Sequence, residues 1–263
     1  MKILFSIPAH ESNEIVCSVI ENIQKFIKEP IIVVHPNQSF SDFDSTISKK
    51  YQNVYVNPSR LHYTKYHSML PILISNFEYT EHLDYDYHCI FHTNQLLIKH
   101  GLENYLEDKE ISFEYFSDDF GERAKIMFES SKSNVGSKIG REGVYNSHME
   151  GTFYTKEIFK KICEFIKQDM PTSIHSSHAV EETIIPMLAY HVFLTNKEKL
   201  AYTYLKHTEQ SQLSVDEVKG LLEKNKPAFI FKGLETNTNN IFAIKPVHRT
   251  MNNPVREFIN SLK

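Results

Sequence analysis

The chain has no tryptophan, so its aromatic content of 12% comes from Phe and Tyr alone. Glycine is scarce, with 8 in 263 residues, and neither G-x-G-x-x-G nor G-x-x-x-x-G-K-[ST] occurs. Both motifs use glycines to bring backbone N–H groups onto phosphates, so a dinucleotide fingerprint and a P-loop are excluded. Any nucleotide bound here must be held by side chains and a few backbone groups. The three cysteines, Cys17, Cys89 and Cys163, are odd in number and far apart. That argues against a disulfide framework or a zinc knuckle. Each lies in an apolar segment, where a thiol packs as a small core residue, and this usage fits a reducing compartment. No apolar run reaches the ~18 residues of a spanning helix. The opening Met1-Lys2 runs straight into Ile3-Leu4-Phe5-Ser6-Ile7-Pro8, too short for a signal-peptide core. The net charge of −4 carries no nucleic-acid footprint. The expectation is a soluble, cytoplasmic protein with no transmembrane segment and no nucleic-acid partner.

What the chain does contain is enough apolar residue, 41%, for a real core. Ile3 to Ile7 is a continuous apolar run ended by Pro8, as expected for a strand buried on both faces of a parallel sheet. Ile15, Val16, Val19, Ile20, Ile23, Phe26 and Ile27 then repeat with helical spacing. A second strand, Ile31 to Val34, ends in His35-Pro36-Asn37. This is a βαβ opening, and ligands of such sheets bind at the carboxyl ends of the strands, where the loops carrying His10 and His35 lie. Further strands are predicted at Val54–Val56, Tyr87–Phe91, Pro227–Phe231 and Ile241–Ile244, and helices over 66–79, 96–106, 215–224 and 254–262. Ser214 with Glu217 three residues on forms a capping-box pattern. The Ser/Gly/Lys-rich tract Ser130 to Gly143 reads as a loop. Without repeats or linkers, one domain over residues 1–263 is the simplest organisation, α/β with a mainly parallel central sheet and helices on both faces. Nothing in the sequence speaks to oligomeric state.

The stretch from His148 to Tyr190 organises the rest. Apolar positions at Ile158, Phe159, Ile162, Phe165 and Ile166 mark an amphipathic helix capped by Thr155. A polar loop leads to Glu181–Glu182, and then directly into the apolar run Ile184 to Phe193. Two adjacent carboxylates at the mouth of a buried element are either helix-start charges favoured by the macrodipole or functional groups. His175 and His178, three apart with Glu181 or Glu182 nearby, leave a metal hydrolase open as a rival.

Taken in order, several stretches resemble the core-2/I-branching β-1,6-N-acetylglucosaminyltransferases and their bacterial relatives. Ile3-Leu4-Phe5-Ser6-Ile7-Pro8-Ala9-His10 is similar to that family's opening strand. Ile32-Val33-Val34-His35-Pro36-Asn37-Gln38-Ser39 is similar to its strand ending His-Val-Asp-Lys-Lys-Ser. The tract from Tyr85 to Ile98 resembles Asp-Tyr-x-Tyr-x-x-Leu-Ser-Gly-x-Asp-x-Pro-Leu, and Phe153 to Ile158 falls at the Leu-Ser-Arg-Glu-Phe helix start. Glu181-Glu182-Thr183 stands at Asp-Glu-Thr, and Ile241 to Pro246 resembles Leu-Phe-Ala-Arg-Lys-Phe. The departures are Asn37 for the Asp after His-Val, His92-Thr93-Asn94-Gln95 for Ser-Gly-x-Asp, and a missing Trp before the helix start.

The resemblance implies a GT-A-like nucleotide-sugar-binding fold and an inverting glycosyltransferase that works without a metal or other cofactor. Its partners would be a nucleotide-sugar donor and a glycan or glycolipid acceptor, which also admits a peripheral position on the inner face of the membrane. It places the general base at Glu182 and the donor diphosphate at Lys245, with Arg249, Lys206 and His207 as further cations. His10, His35 and Asn37 would line the nucleotide; Glu150, Asn94 and Gln95 would meet acceptor hydroxyls. The departures leave sugar, base and linkage open. Two rivals stay beside this reading: a metal-dependent transferase using Asp118-Asp119, and a carbohydrate-binding relative that has lost activity.

Overall fold

The structure, a computed structural model, describes residues 1–62, 69–112, 148–169, 181–208, 212–230 and 235–262. The chain opens with β1 (Ile3–Ala9), α1 (Asn13–Phe26), β2 (Ile31–Pro36), α2 (Ile47–Lys50), β3 (Val54–Val56), α3 (Leu70–Thr80) and β4 (Tyr87–Ile90). β5 (Leu96–Leu97), α4 (Leu102–Leu106) and β6 (Ile111–Ser112) follow, then β7 (Phe153–Thr155), α5 (Lys156–Asp169) and α6 (Glu181–Leu188), which runs into a π-helical turn at Ala189–Phe193. The last part holds β8 (Leu200–Ala201), β9 (Leu205–His207), α7 (Val215–Leu222), β10 (Pro227–Phe229), β11 (Glu235–Asn237), β12 (Ala243–Lys245) and α8 (Pro254–Ser261).

The central sheet has seven strands in the order β3-β2-β1-β4-β7-β6-β8. Among the described residues β7 alone runs against the others, pairing antiparallel with both β4 and β6, so the fold is α/β with a mainly parallel sheet. β1 and β2 are buried over every residue, which is why their sequences run apolar instead of alternating. Ile3, Phe5 and Ile7 of β1 join a core with α1, α4, α7 and α8. On the opposite face α3, α5 and α6 share a second core with Ile90. On α1, Ile15, Val16, Val19, Ile20, Ile23 and Phe26 are all buried, each stabilising by about 1.5–3 kcal/mol relative to exposure.

Two differences from the sequence reading have physical causes. β1 continues through Pro8, which pairs in register with His35. Pro8 lies on the same side of the strand as Ser6, whose carbonyl accepts from Phe91, and β4 pairs with β1 only as far as Ser6. The missing N–H of Pro8 therefore faces a ladder that has already ended. β5, β12 and β9 form a separate three-stranded sheet, with β12 antiparallel to β5 and parallel to β9. β5 and β9, of two and three residues, are too short to leave a periodic trace in the sequence. No described helix is long and apolar enough to cross a membrane.

Candidate active site

The strand order makes β1 the turning point. From β1 the chain adds β2 and β3 on one side, then crosses back to lay β4 on the other. In such sheets the crevice outside the carboxyl ends at this switch is where ligands bind. β1 delivers His10 and Glu11 to the crevice, and β4 delivers the segment from Phe91 to Gln95.

A tight turn at 148–151 brings two more groups there. Gly151 donates its N–H to the carbonyl of Ile90 at 3.0 Å, so the turn is stitched to the end of β4. Gly151 has φ of +77°, and a Cβ would lie 2.8 Å from Leu205 Cβ, so only glycine fits. The turn fixes Glu150 and His148 beside the small sheet. On that sheet Lys245 of β12 is registered with His207 of β9, and their side chains share a face because strand side chains alternate. Val247 donates to the carbonyl of Asn94 at 2.8 Å, tying the segment after β12 to the β4 loop.

Three linked groups result. Lys245 pairs with Glu150 through Nζ and Oε1, the two side chains being 11% and 13% exposed. His92 Nδ1 stands 3.7 Å from the same oxygen. Nearer the mouth, Arg249 Nε is 2.6 Å and His10 Nε2 3.0 Å from Glu11 Oε1. Third, His148 Nδ1 is 3.4 Å from Glu182 Oε1, and the His148 ring meets the His207 ring edge to face with centroids 4.4 Å apart. Glu182 is a third exposed, so solvent reaches it, whereas Glu181 beside it is buried.

The electrostatics follow from this crowding. Burial works to raise the Glu150 carboxyl, but Lys245 and His92 outweigh it and hold the group ionised far below the usual carboxylate range. Burial pulls His92 down to about 4, against the opposing pull of Glu150. His207 falls to about 3 through burial first, with His148 and Lys245 adding to the effect. His10 is lowered by burial, with Glu11 opposing and Arg249 adding to the effect. Near neutral pH His92 and His207 are therefore uncharged, while Glu150 stays ionised.

Of the residues singled out from sequence, Glu182, Lys245, Arg249, Glu150, His10 and His207 meet in or around this crevice. Others do not. His35 is fully buried; its Nδ1 lies 3.2 Å from Asn76 Oδ1, and its Nε2 accepts from the Leu61 N–H at 3.2 Å. Both ring nitrogens are used within a buried network, one strand away from the switch. Asn37 caps its own turn, its Oδ1 accepting from the Ser39 N–H at 3.1 Å. Gln95 is fully buried, and its Oε1 accepts from the His92 N–H at 2.5 Å, so it shapes the loop. Asn94 keeps a buried Oδ1 with no hydrogen-bond partner among the described residues. Lys206 falls on the opposite face of β9 from His207 and donates to the Phe229 carbonyl. Asp118, Asp119, His175, His178 and the Ser130–Gly143 tract lie outside the described residues.

Glu11, His92 and His148 carried no assigned role in the sequence reading. Their common signal is position: Glu11 and His92 follow the last residues of buried strands, and His148 opens a turn fixed by a glycine.

No protein-family model matches this chain, and no curated protein is similar to it. Among solved structures, an active-site mutant of LgtC aligns with 99% of this chain and 94% of its own, at 13% identity and a TM-score of 0.47. Galactosyltransferase LgtC in complex with donor and acceptor sugar analogs aligns with 100% of this chain and 96% of its own, at 12% identity and a TM-score of 0.48. Likeness of this degree assigns no chemistry, which rests on the crevice itself.

Proposed function

We propose that this chain is an inverting, metal-independent glycosyltransferase that moves a sugar from a nucleotide-sugar to a hydroxyl of a surface polysaccharide or glycolipid glycan. The observation that carries the reading is the placing of Lys245 and Arg249 in the same switch-point crevice as an accessible carboxylate, Glu182. Transfer with inversion needs those two things: a base for the acceptor hydroxyl and fixed positive charge for the departing diphosphate.

In this reading the acceptor oxygen attacks the anomeric carbon from the face opposite the phosphate. The C–O bond to the phosphate breaks as the new one forms, and the hydroxyl proton passes to Glu182. His148, at 3.4 Å, orients the Glu182 carboxylate. The negative charge that appears on the diphosphate meets Lys245, which is nearly buried and so acts where water screens little. Glu11 engages Arg249 at Nε, and Nη1 and Nη2 form the planar fork that suits a phosphate. Glu150 and Glu11 keep the two cations in place while the crevice is empty of donor. Of the residues expected to line the nucleotide, His10 remains the candidate at the mouth. Asn94, with its unpartnered buried Oδ1, remains a candidate for a substrate hydroxyl.

The test is release of nucleoside diphosphate from a nucleotide-sugar by wild type and by Glu182→Gln, with donor affinity measured on both. Loss of a general base costs about 10²–10⁴ in rate. Turnover lost by that factor with donor affinity kept supports the reading. Unchanged turnover removes Glu182 from the mechanism, and donor binding without any turnover in wild type leaves a carbohydrate-binding protein.

A further inference from the structure

The His148, Glu150 and Glu182 side chains do something besides flank the cations. One ligand atom from each, an imidazole nitrogen and two carboxylate oxygens, lies within 4.8 Å of the other two. Three ligands held about 2.0–2.2 Å from one metal ion end up roughly 3–4 Å apart, so rotamer adjustments of under about 1 Å would close the set. The scaffold is suited to that. Gly151 fixes the turn carrying His148 and Glu150, and Glu182 comes from the first turn of α6. Lys245 takes only Oε1 of Glu150; Oε2 is buried and without a hydrogen-bond partner among the described residues.

We infer that His148, Glu150 and Glu182 form a site for a transition-metal dication of the Zn²⁺ type, and that filling it withdraws Glu182 from proton transfer. One imidazole with two carboxylates is a mixed nitrogen and oxygen set, which suits Zn²⁺ and its neighbours; Mg²⁺ and Ca²⁺ favour all-oxygen shells. Three protein ligands leave a fourth position for water. The two carboxylates neutralise the ion, and Lys245 remains beside it as the excess charge, so affinity is limited and occupancy follows the metal supply. The site is therefore an inhibitory one. That second half rests on the transferase reading, whereas the binding does not.

The experiment is calorimetric titration of ZnCl₂, and separately MgCl₂, into the metal-stripped full chain, wild type against His148→Ala and Glu182→Gln. A thermal melt of each variant checks that it is folded. Nucleotide-sugar turnover is followed alongside at each Zn²⁺ concentration. The expected result is one Zn²⁺ site per chain, weakened about 100-fold or more in each variant, no comparable Mg²⁺ site, and turnover that falls with occupancy and returns with EDTA. Zn²⁺ affinity equal in wild type and both folded variants, or no Zn²⁺ binding by wild type, overturns the site. Zn²⁺ bound as expected while turnover is unaffected overturns the inhibitory role. If Zn²⁺ binds as expected but wild type turns over no donor, the site stands and the transferase reading fails.

Discussion

The Lys245–Glu150 pair is the part of the crevice whose energetics the structure defines best. With side chains only 11% and 13% exposed, it is a buried ion pair tied to His92 at 3.7 Å. Removing one partner of such a pair costs about 3–5 kcal/mol because a charge is left buried, whereas replacing both by apolar groups of similar size is often near neutral. Residual exposure puts Lys245→Met near the lower end, about 3 kcal/mol. For a chain of this length that lowers the melting temperature by roughly 6–12 °C. Glu150→Met, which strands the cation, carries a comparable penalty, and the double variant Lys245→Met/Glu150→Met recovers most of both. His92 adds a pH signature. Burial first, and Lys245 second, keep its ring neutral against the pull of Glu150. Without Lys245 the ring protonates more readily and becomes the partner of Glu150. The penalty of Lys245→Met therefore shrinks as pH falls from 7 towards 5. Urea melts of the four proteins at both pH values form the double-mutant cycle. A Lys245→Met penalty under about 1 kcal/mol, or a double variant as unstable as the sum of the singles, would refute the buried-pair argument.

Acid should destabilise the fold well before carboxylates titrate. Burial holds His88 and His207 at about 3 and His92 at about 4, all below the unfolded value near 6.5. The unfolded chain then binds protons the native chain refuses, so stability is full above about pH 7 and falls as pH drops through 6.5 towards those lower values. At about 1.4 kcal/mol per unit and group, the loss between pH 7 and 5 is on the order of 4–6 kcal/mol for the three. His88→Phe, which keeps a ring stacked on Phe159 where the imidazole now lies at 3.9 Å, should flatten that slope by about a third; identical slopes in urea melts would contradict it. Gly151→Ala should cost about 2 kcal/mol or more, from its positive φ and the 2.8 Å clash with Leu205. Gly220→Ala, on α7 with open space around it, should gain about 0.5–1 kcal/mol; equal melting temperatures for the two variants would sink the contrast. Arg249→Ala should weaken nucleoside diphosphate binding about 10-fold or more, consistent with a charge-assisted bond of about 1.5–3 kcal/mol. Lys206→Ala, on the other face of β9, should change that affinity by less than about twofold; calorimetry reporting the reverse order would place the diphosphate elsewhere.

How far the sequence could be read depended on element length and on range. The buried runs of β1, β2 and β4 announce a parallel sheet because neither face of those strands meets water. α1 and α5 show their inner faces through 3.6-residue spacing, and the Ser214–Glu217 capping box predicted from sequence is formed at α7. β7, whose three residues reverse the sheet direction, and β5 and β9 of the small sheet carry no such signal, and the strand expected at Ile241–Ile244 gives no sign of its partners. Their pairing is set by contacts between segments far apart in the chain. Lys206 and His207 were read together as cations, but in a strand neighbouring residues take opposite faces, and it is His207 that shares a face with Lys245. His35 and Asn37 were chosen as polar groups after a buried strand. The same chemistry serves to close loops, and here their side chains make internal hydrogen bonds instead. Glu11, His92 and His148 gain meaning only from partners far along the chain, Arg249, Glu150 and Glu182.

The central claim is a donor diphosphate held by Lys245 and Arg249 without a metal. Thermal melts with a panel of nucleoside diphosphates and nucleotide-sugars, each with EDTA and with Mn²⁺, address it directly. A ligand at about 100 times its dissociation constant adds about 2.7 kcal/mol to the native state, or roughly 5–10 °C here. The account predicts a shift of that size with one class of nucleotide, undiminished by EDTA and lost in the folded Lys245→Met/Glu150→Met variant. A shift that requires Mn²⁺, one that survives in that variant, or none with any donor would contradict it.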